Sequence, residues 1–191
     1  MTLSKPQPFR RAALAAAVAL LAAVVVIACD GKTRGRPREG DQMKLTGTLS
    51  LRGSQPFPTL VVETDDGGSV VVQSQTIQEE LRELAGMRVS IDGKALAPID
   101  GKTPVVNALS YELLALPGGE VPVVGLVVLQ EDRCVLEGAD GKRYWIVGDL
   151  AGIIREFEGA KVWIAGTPVA GEEAGELIPL LVTGYGVLSA R

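Results

Sequence analysis

The sequence predicts a mainly β protein: two tandem five-stranded barrels, each with one short helix, after an N-terminal segment and a tether. Three observations carry this. The region from Met43 to Arg191 repeats itself in order. Each copy is built from short runs rich in Val, Ile and Leu, with Asp-Gly between the second and third run. After the third run the spacing turns helical and stops at a glycine.

The repeat is read by overlay. Gly47 to Leu51 falls on Gly125 to Leu129, and Leu60 to Glu63 on Cys134 to Glu137. Asp66-Gly67 falls on Asp140-Gly141, and Val70 to Val72 on Tyr144 to Ile146. Ile77 to Gly93 then matches Leu150 to Gly166 without a gap, and Tyr111 falls on Tyr185. The first strands are predicted over Leu45 to Leu51 and Val121 to Leu129, the second over Leu60 to Glu63 and Arg133 to Glu137. Asp-Gly then turns the chain, because both residues tolerate positive φ. Third strands come next, at Ser69 to Gln73 and Arg143 to Val147. In Gln78 to Ala85, Leu81 and Leu84 share a helix face, as Ile154 and Phe157 do in Gly152 to Glu158. Gly86 and Gly159 stand at the expected left-handed caps. Fourth strands run Arg88 to Asp92 and Lys161 to Ala165, and fifth strands Val105 to Leu114 and Leu177 to Leu188.

The chain before the repeat divides at Cys29. Lys5, Arg10 and Arg11 form a basic head, and Ala12 to Val26 is an uncharged apolar stretch. That order, ending in Val26-Ile27-Ala28-Cys29, is the pattern of an export signal. The four residues resemble the lipobox of bacterial lipoproteins. The resemblance implies removal of residues 1–28, a diacylglycerol on Cys29 and acylation of the new amine. Several acyl chains on one residue make a lasting anchor, at about 0.8 kcal/mol per buried CH₂. The expected address is the cell envelope. Asp30 leans toward the periplasmic side of the inner membrane, with the outer membrane left open. Residues 29–42 carry no large apolar side chain and read as the lipidated cysteine plus a flexible tether. The domains expected after it are 43–116 and 117–191.

Strand, strand, strand, helix, strand, strand is also the order of the OB-fold. The chain resembles exported bacterial proteins built from OB-fold modules, which implies a binding scaffold without fixing its ligand.

Charge and composition narrow the functions. From Met43 onward 12 basic residues face 20 acidic ones, a net charge of −8. Such a surface repels phosphate backbones at long range and suits neither nucleic acid nor an anionic lipid surface, so no nucleic-acid partner is expected. The sequence has no histidine and no Gly-x-Ser-x-Gly motif, which argues against an enzyme. Cys134 aligns with Leu60 and reads as a buried thiol. Asp65-Asp66-Gly67 and Asp140-Gly141 lack the ligand spacing of a calcium loop, so no metal and no cofactor is implied.

Tyr144 and Trp145 are adjacent in a strand, so they point to opposite faces and one lies outside the barrel. That ring is either a binding platform or is packed on a loop or on the first copy. Val121 to Leu129 and Leu177 to Val182 are apolar on both faces. This predicts two copies packed as one rigid unit, or a protein partner over the second, with Val127 and Val128 both covered. The expected function is a membrane-tethered, non-enzymatic interaction or scaffold module. The alternative is small-molecule or glycan binding by the second barrel.

Overall fold

The computed structural model describes residues 37–54, 56, 58–169 and 177–189. The segment expected to be an export signal, Cys29 and most of the expected tether lie outside the described residues, as does Phe57. The mainly β expectation holds. The described elements are β1 (Gln42–Arg52), β2 (Thr59–Thr64), β3 (Ser69–Gln73), α1 (Gln78–Glu83), β4 (Arg88–Ile99) and β5 (Thr103–Ala115), then β6 (Val123–Gln130), β7 (Arg133–Gly138), β8 (Arg143–Val147), α2 (Ala151–Ile154), β9 (Lys161–Pro168) and β10 (Leu177–Ser189). A 3-10 turn, Arg155–Phe157, comes directly after α2.

The strands pair in two rings, β1-β2-β3-β5-β4 and β10-β8-β7-β6-β9. In each ring four pairings are antiparallel and one is parallel, β3 with β5 and β8 with β10. The first strand of each ring closes it by bonding on both edges. β1 meets β4 from Gln42 to Thr48 and β2 from Gly47 to Arg52. β6 meets β9 from Val123 to Leu126 and β7 from Gly125 to Gln130. The handover falls on Gly47 and Gly125. A Cβ on either would strike the carbonyl oxygen of Glu63 or Glu137, so the backbones can approach only because the side chain is absent.

Short helices plug the rings at matching points. Ser74 Oγ accepts from the Ile77 N–H at 3.1 Å, and Gln78 Oε1 accepts from the Ser74 N–H at 2.7 Å, a reciprocal pair that fixes the turn leading into α1. Gly86, at φ +88°, donates to the Leu49 carbonyl at 2.8 Å, and Gly159, at φ +78°, donates to Val127 at 2.8 Å. The helix exits are thus tied to the equivalent residue of β1 and β6. Leu81 and Leu84 fill the first core beside Leu49, Val62, Val89 and Ile91. Ile154 enters the second beside Val127, Leu136, Ile146 and Ile164.

The structure departs from the sequence-based expectation in three places. First, the ladder begins inside the expected tether: the Gly40 N–H donates to Ala95 O and the Ala95 N–H to Asp41 O, both at 2.8 Å. Second, β4 does not stop at Gly93 but continues to Ile99, with 12 residues against 8 in β9. Gly93 marks a close approach to the Asn107 carbonyl at a bulge, not a turn. Third, the apolar runs are not covered on both faces. Val127 is fully buried, but Val128 is only half-buried, Leu126 is 47 % exposed and Leu181 46 % exposed.

The two rings nevertheless share packing. Leu188 of β10 is buried in the first core, where Val124 and Trp163 also pack, and α1 lies against β10. The first strand of the second copy therefore touches the seam only at its start.

Gly47→Ala and Gly125→Ala should each destabilise by about 1–3 kcal/mol, because neither backbone can retreat without breaking a ladder. Leu126→Asp should stay within about 0.5 kcal/mol of wild type, as an exposed position does. Thermal melts of the three variants check this ordering.

Candidate functional site

The seam holds a cleft of about 610 Å³. One wall is the end of β5, Tyr111 to Leu113. The other comes from Val121 to Val124, the β7–β8 turn at Asp140, Tyr144 and Lys161. The linker between the rings is a tight turn, with Leu116 N–H on Glu120 O and Gly119 N–H on Leu116 O, both at 2.8 Å. This turn sets the second ring beside the end of the first.

A three-residue cluster fastens the seam. Glu80 of α1 accepts two hydrogen bonds on Oε2, from Tyr111 Oη at 2.6 Å and from Lys161 Nζ at 2.6 Å. The Lys161 ammonium also lies 4.8 Å from the centre of the Tyr111 ring. The Glu80 and Lys161 side chains are 18 % and 33 % exposed, so the pair is partly shielded from solvent. Burial works against ionisation of Glu80. The hydrogen bonds from Lys161 and Tyr111, with the charge of Lys161, outweigh it and hold the carboxyl below its ordinary value. Burial, and then Glu80 itself, push the Tyr111 phenol well up, so it remains a donor.

Sequence reasoning missed this cluster, yet the overlay contains a signal for it. Lys161 is the counterpart of Arg88. Arg88 pairs with Asp65 inside its own ring at 2.7 Å. The position matching Asp65 is Ala139, so the second copy has the cation without its local acid. That cation reaches across the seam instead.

Tyr144 and Trp145 point to opposite faces, but not as one platform. Tyr144 is buried in the second core and shows only an edge to the cleft. Its hydroxyl donates to Asp140 Oδ2 at 2.6 Å, and burial together with Asp140 pushes its pKa up to about 12. Trp145 is half-buried on the outer surface under the Arg133 guanidinium, 4.9 Å from the ring centre. Its exposed face is therefore taken by a cation of the same ring. Nearby, Arg155 clamps the β6–β7 turn through Asp132 Oδ1 at 2.9 Å. Cys134 is 5 % exposed, and burial pushes its thiol up against the pull of Arg155. Among the described residues no group of three or more His, Cys, Asp or Glu side chains is placed to hold a metal ion.

No family model matches the chain, and no curated protein matches it. Among solved structures it is similar to a deletion mutant of the single-stranded DNA binding protein from Thermus aquaticus. The two are 13 % identical, the match covers 78 % of this chain and 95 % of that one, and the TM-score is 0.26. A likeness that low carries no argument about what this chain binds. The matched protein is named for binding single-stranded DNA, and the expectation drawn here from net charge runs against that finding. The expectation of no nucleic-acid partner is withdrawn. Net charge sums over a whole surface and does not set the sign of one face: Arg133 lies over Trp145, and Arg143 stands two residues along the same strand.

Glu80→Gln should lower the melting temperature at neutral pH. A carboxyl held below its ordinary value of 4.5 stabilises the fold above that pH and loses the contribution as pH falls through the lower folded value. The gap between wild type and variant should therefore close on acidification below about pH 4.5. Melts from neutral to acid pH read it directly; a gap constant with pH would refute the charged seam.

Proposed function

We propose that the chain is a cell-envelope lipoprotein, anchored by lipid on Cys29, whose folded part is a non-enzymatic interaction or scaffold module made of two OB-fold-like copies, 43–116 and 117–191. The observation that carries the reading is the N-terminal order: basic head, apolar stretch, Val26-Ile27-Ala28-Cys29, then a polar tether leading into β1. The paired glycines at the ring closures and helix exits support descent of both rings from one module. Asp30 favours the inner membrane as the site of the anchor. Among the described residues no helix is long and apolar enough to cross a membrane, so on this reading attachment comes through the lipid.

Cys29→Ser should abolish acylation and leave the precursor uncut. Metabolic labelling with palmitate, read beside the apparent mass, tests this. Label retained by the variant would refute the lipoprotein reading.

A second reading is small-molecule or glycan binding. It is favoured by the seam cleft, which combines apolar walls with converging polar groups at Asp140, Lys161 and Tyr111. The site is then shared between the copies rather than placed on the second barrel alone. Val121 is 72 % exposed at the cleft wall, so Val121→Trp should fill the cleft and leave both cores intact. A soluble oligosaccharide that raises the melting temperature of the wild type should fail to raise that of the variant. Equal shifts in both would exclude the cleft.

A further inference from the structure

We infer that the seam cleft takes an aliphatic diamine or polyamine, with one ammonium on Glu112, another on Asp140 and the methylene chain along the apolar walls between them. The inference deepens the small-molecule reading of the cleft and rests on it.

The first observation is a difference between the copies. The first ring has a hollow at the same place in the module, lined by Lys44, Thr46, Thr64 and Asp65 among others. The overlay puts Pro122, Val124, Gly138 and Ala139 at those four positions. Each exchange removes a polar side chain from the second ring's mouth. Packing on the first core accounts for Val124. It does not account for the whole wall, because Val121 beside it stays 72 % exposed. With Leu113 on the β5 side, the cleft offers methylene groups an apolar surface at the scale of a small-molecule site.

The second observation is where the cleft's charges are spent. Lys161 is the only cation among its lining residues. Its Nζ is already held by Glu80 Oε2 at 2.6 Å and by the Tyr111 ring. What remains is negative. Glu112, on the β5 wall, is exposed, and its carboxylate has no hydrogen-bond or ion-pair partner among the described residues. Asp140 stands on the other wall, in the β7–β8 turn. Burial works against its ionisation, but bonds from the Tyr144 hydroxyl and the Lys142 N–H, with the charge of Lys142, hold the carboxyl below its ordinary value. Tyr144 occupies Oδ2 and the Lys142 N–H occupies Oδ1, one bond to each oxygen. A carboxylate has about four acceptor positions, so room is left for an ammonium. The Lys142 ammonium lies 3.9 Å from Oδ2 but is 63 % exposed, and such a pair exchanges readily with solvent.

Two carboxylates on opposite walls, with apolar surface between them, select a dication with an aliphatic middle. An anion would meet both acids and find no unspent cation. A neutral hydroxyl can bond the same oxygens, but without the charge that makes such bonds about twice as strong. The net charge of −8 from Met43 onward adds to the preference by concentrating cations near the surface.

The test titrates the full mature chain by calorimetry at physiological salt. The probes are α,ω-diamines with four to eight methylenes, and the diols and dicarboxylates of the same lengths. The diamines should bind about ten-fold more tightly than the diols, and the dicarboxylates should not bind. Glu112→Gln should weaken the diamines about ten-fold and melt with the wild type, since the side chain it changes is exposed and unpartnered. Val121→Trp should abolish binding. Asp149→Asn, at an exposed acid that does not line the cleft, should leave it unchanged. Equal weakening by Asp149→Asn and Glu112→Gln would mean diffuse attraction to an acidic surface and overturns the site. Diols or dicarboxylates that bind as tightly as diamines, and are blocked by Val121→Trp, overturn the choice of ligand and leave the cleft a small-molecule site. Diamines that fail where an oligosaccharide binds do the same. Failure of every probe and every oligosaccharide overturns the small-molecule reading and this inference with it.

Discussion

Closure of each ring depends on one strand serving two neighbours. β1 gives its first half to β4 and its second half to β2, and β6 does the same for β9 and β7. A strand can change partners this way only if it bends sharply where the two ladders overlap. At that point the neighbouring backbone comes inside the space of a Cβ, and a glycine is required. The rest of each ring depends on this bend. It brings β4 beside β1, which lets the helix exit at Gly86 or Gly159 reach the first strand, which in turn seats the helix over the open end of the core.

The seam is built from what differs between the copies. Arg88 and Lys161 occupy equivalent places at the start of β4 and β9. Arg88 spends its charge on Asp65 within the ring, whereas Lys161 meets Glu80 and Tyr111 of the other ring. Glu80 itself is matched by Ile153 in the second copy. A third copy added in the same sense would find Ile153 where the acid should be. The tandem is therefore polar, with one occupied junction and no equivalent one at its other end. Leu188 adds the apolar half of the junction by filling the first core from β10. Buried apolar contact gives the seam adhesion, while the doubly bonded carboxylate sets its register.

The strands are legible in the sequence because their limits are written in residues with a backbone reason to be there. Asp-Gly marks the β2–β3 and β7–β8 turns, and glycine marks both helix exits. β3 and β8 fall on the residues expected for them. Gly93 misleads because a glycine that permits close approach looks the same in sequence as one that permits a turn. The double-faced apolar runs mislead for a related reason. Apolar residues on an outer face can shield one another without a partner: Val135 is fully buried there beside half-buried Val128 and Trp145. The seam cluster joins residues 31 and 81 positions apart, and no local pattern reports such a distance. Only the missing counterpart of Asp65 hints at it. For Tyr144 and Trp145, adjacency assigns opposite faces correctly, but which ring enters the core depends on register and cannot be read from two neighbouring letters.

The same asymmetry gives the folded unit two unlike ends. At one end β1 enters, the tether is laced to Ala95 and β4 outruns its counterpart. At the other, β5 hands over to the linker and the cleft opens between the rings. Both rings run their first strand away from the entry of their own chain segment, so a head-to-tail tandem carries the second ring outward from whatever holds the first. The long β4–β5 hairpin and the seam then lie at opposite poles because the strand order of a closed five-stranded ring leaves them nowhere else to be.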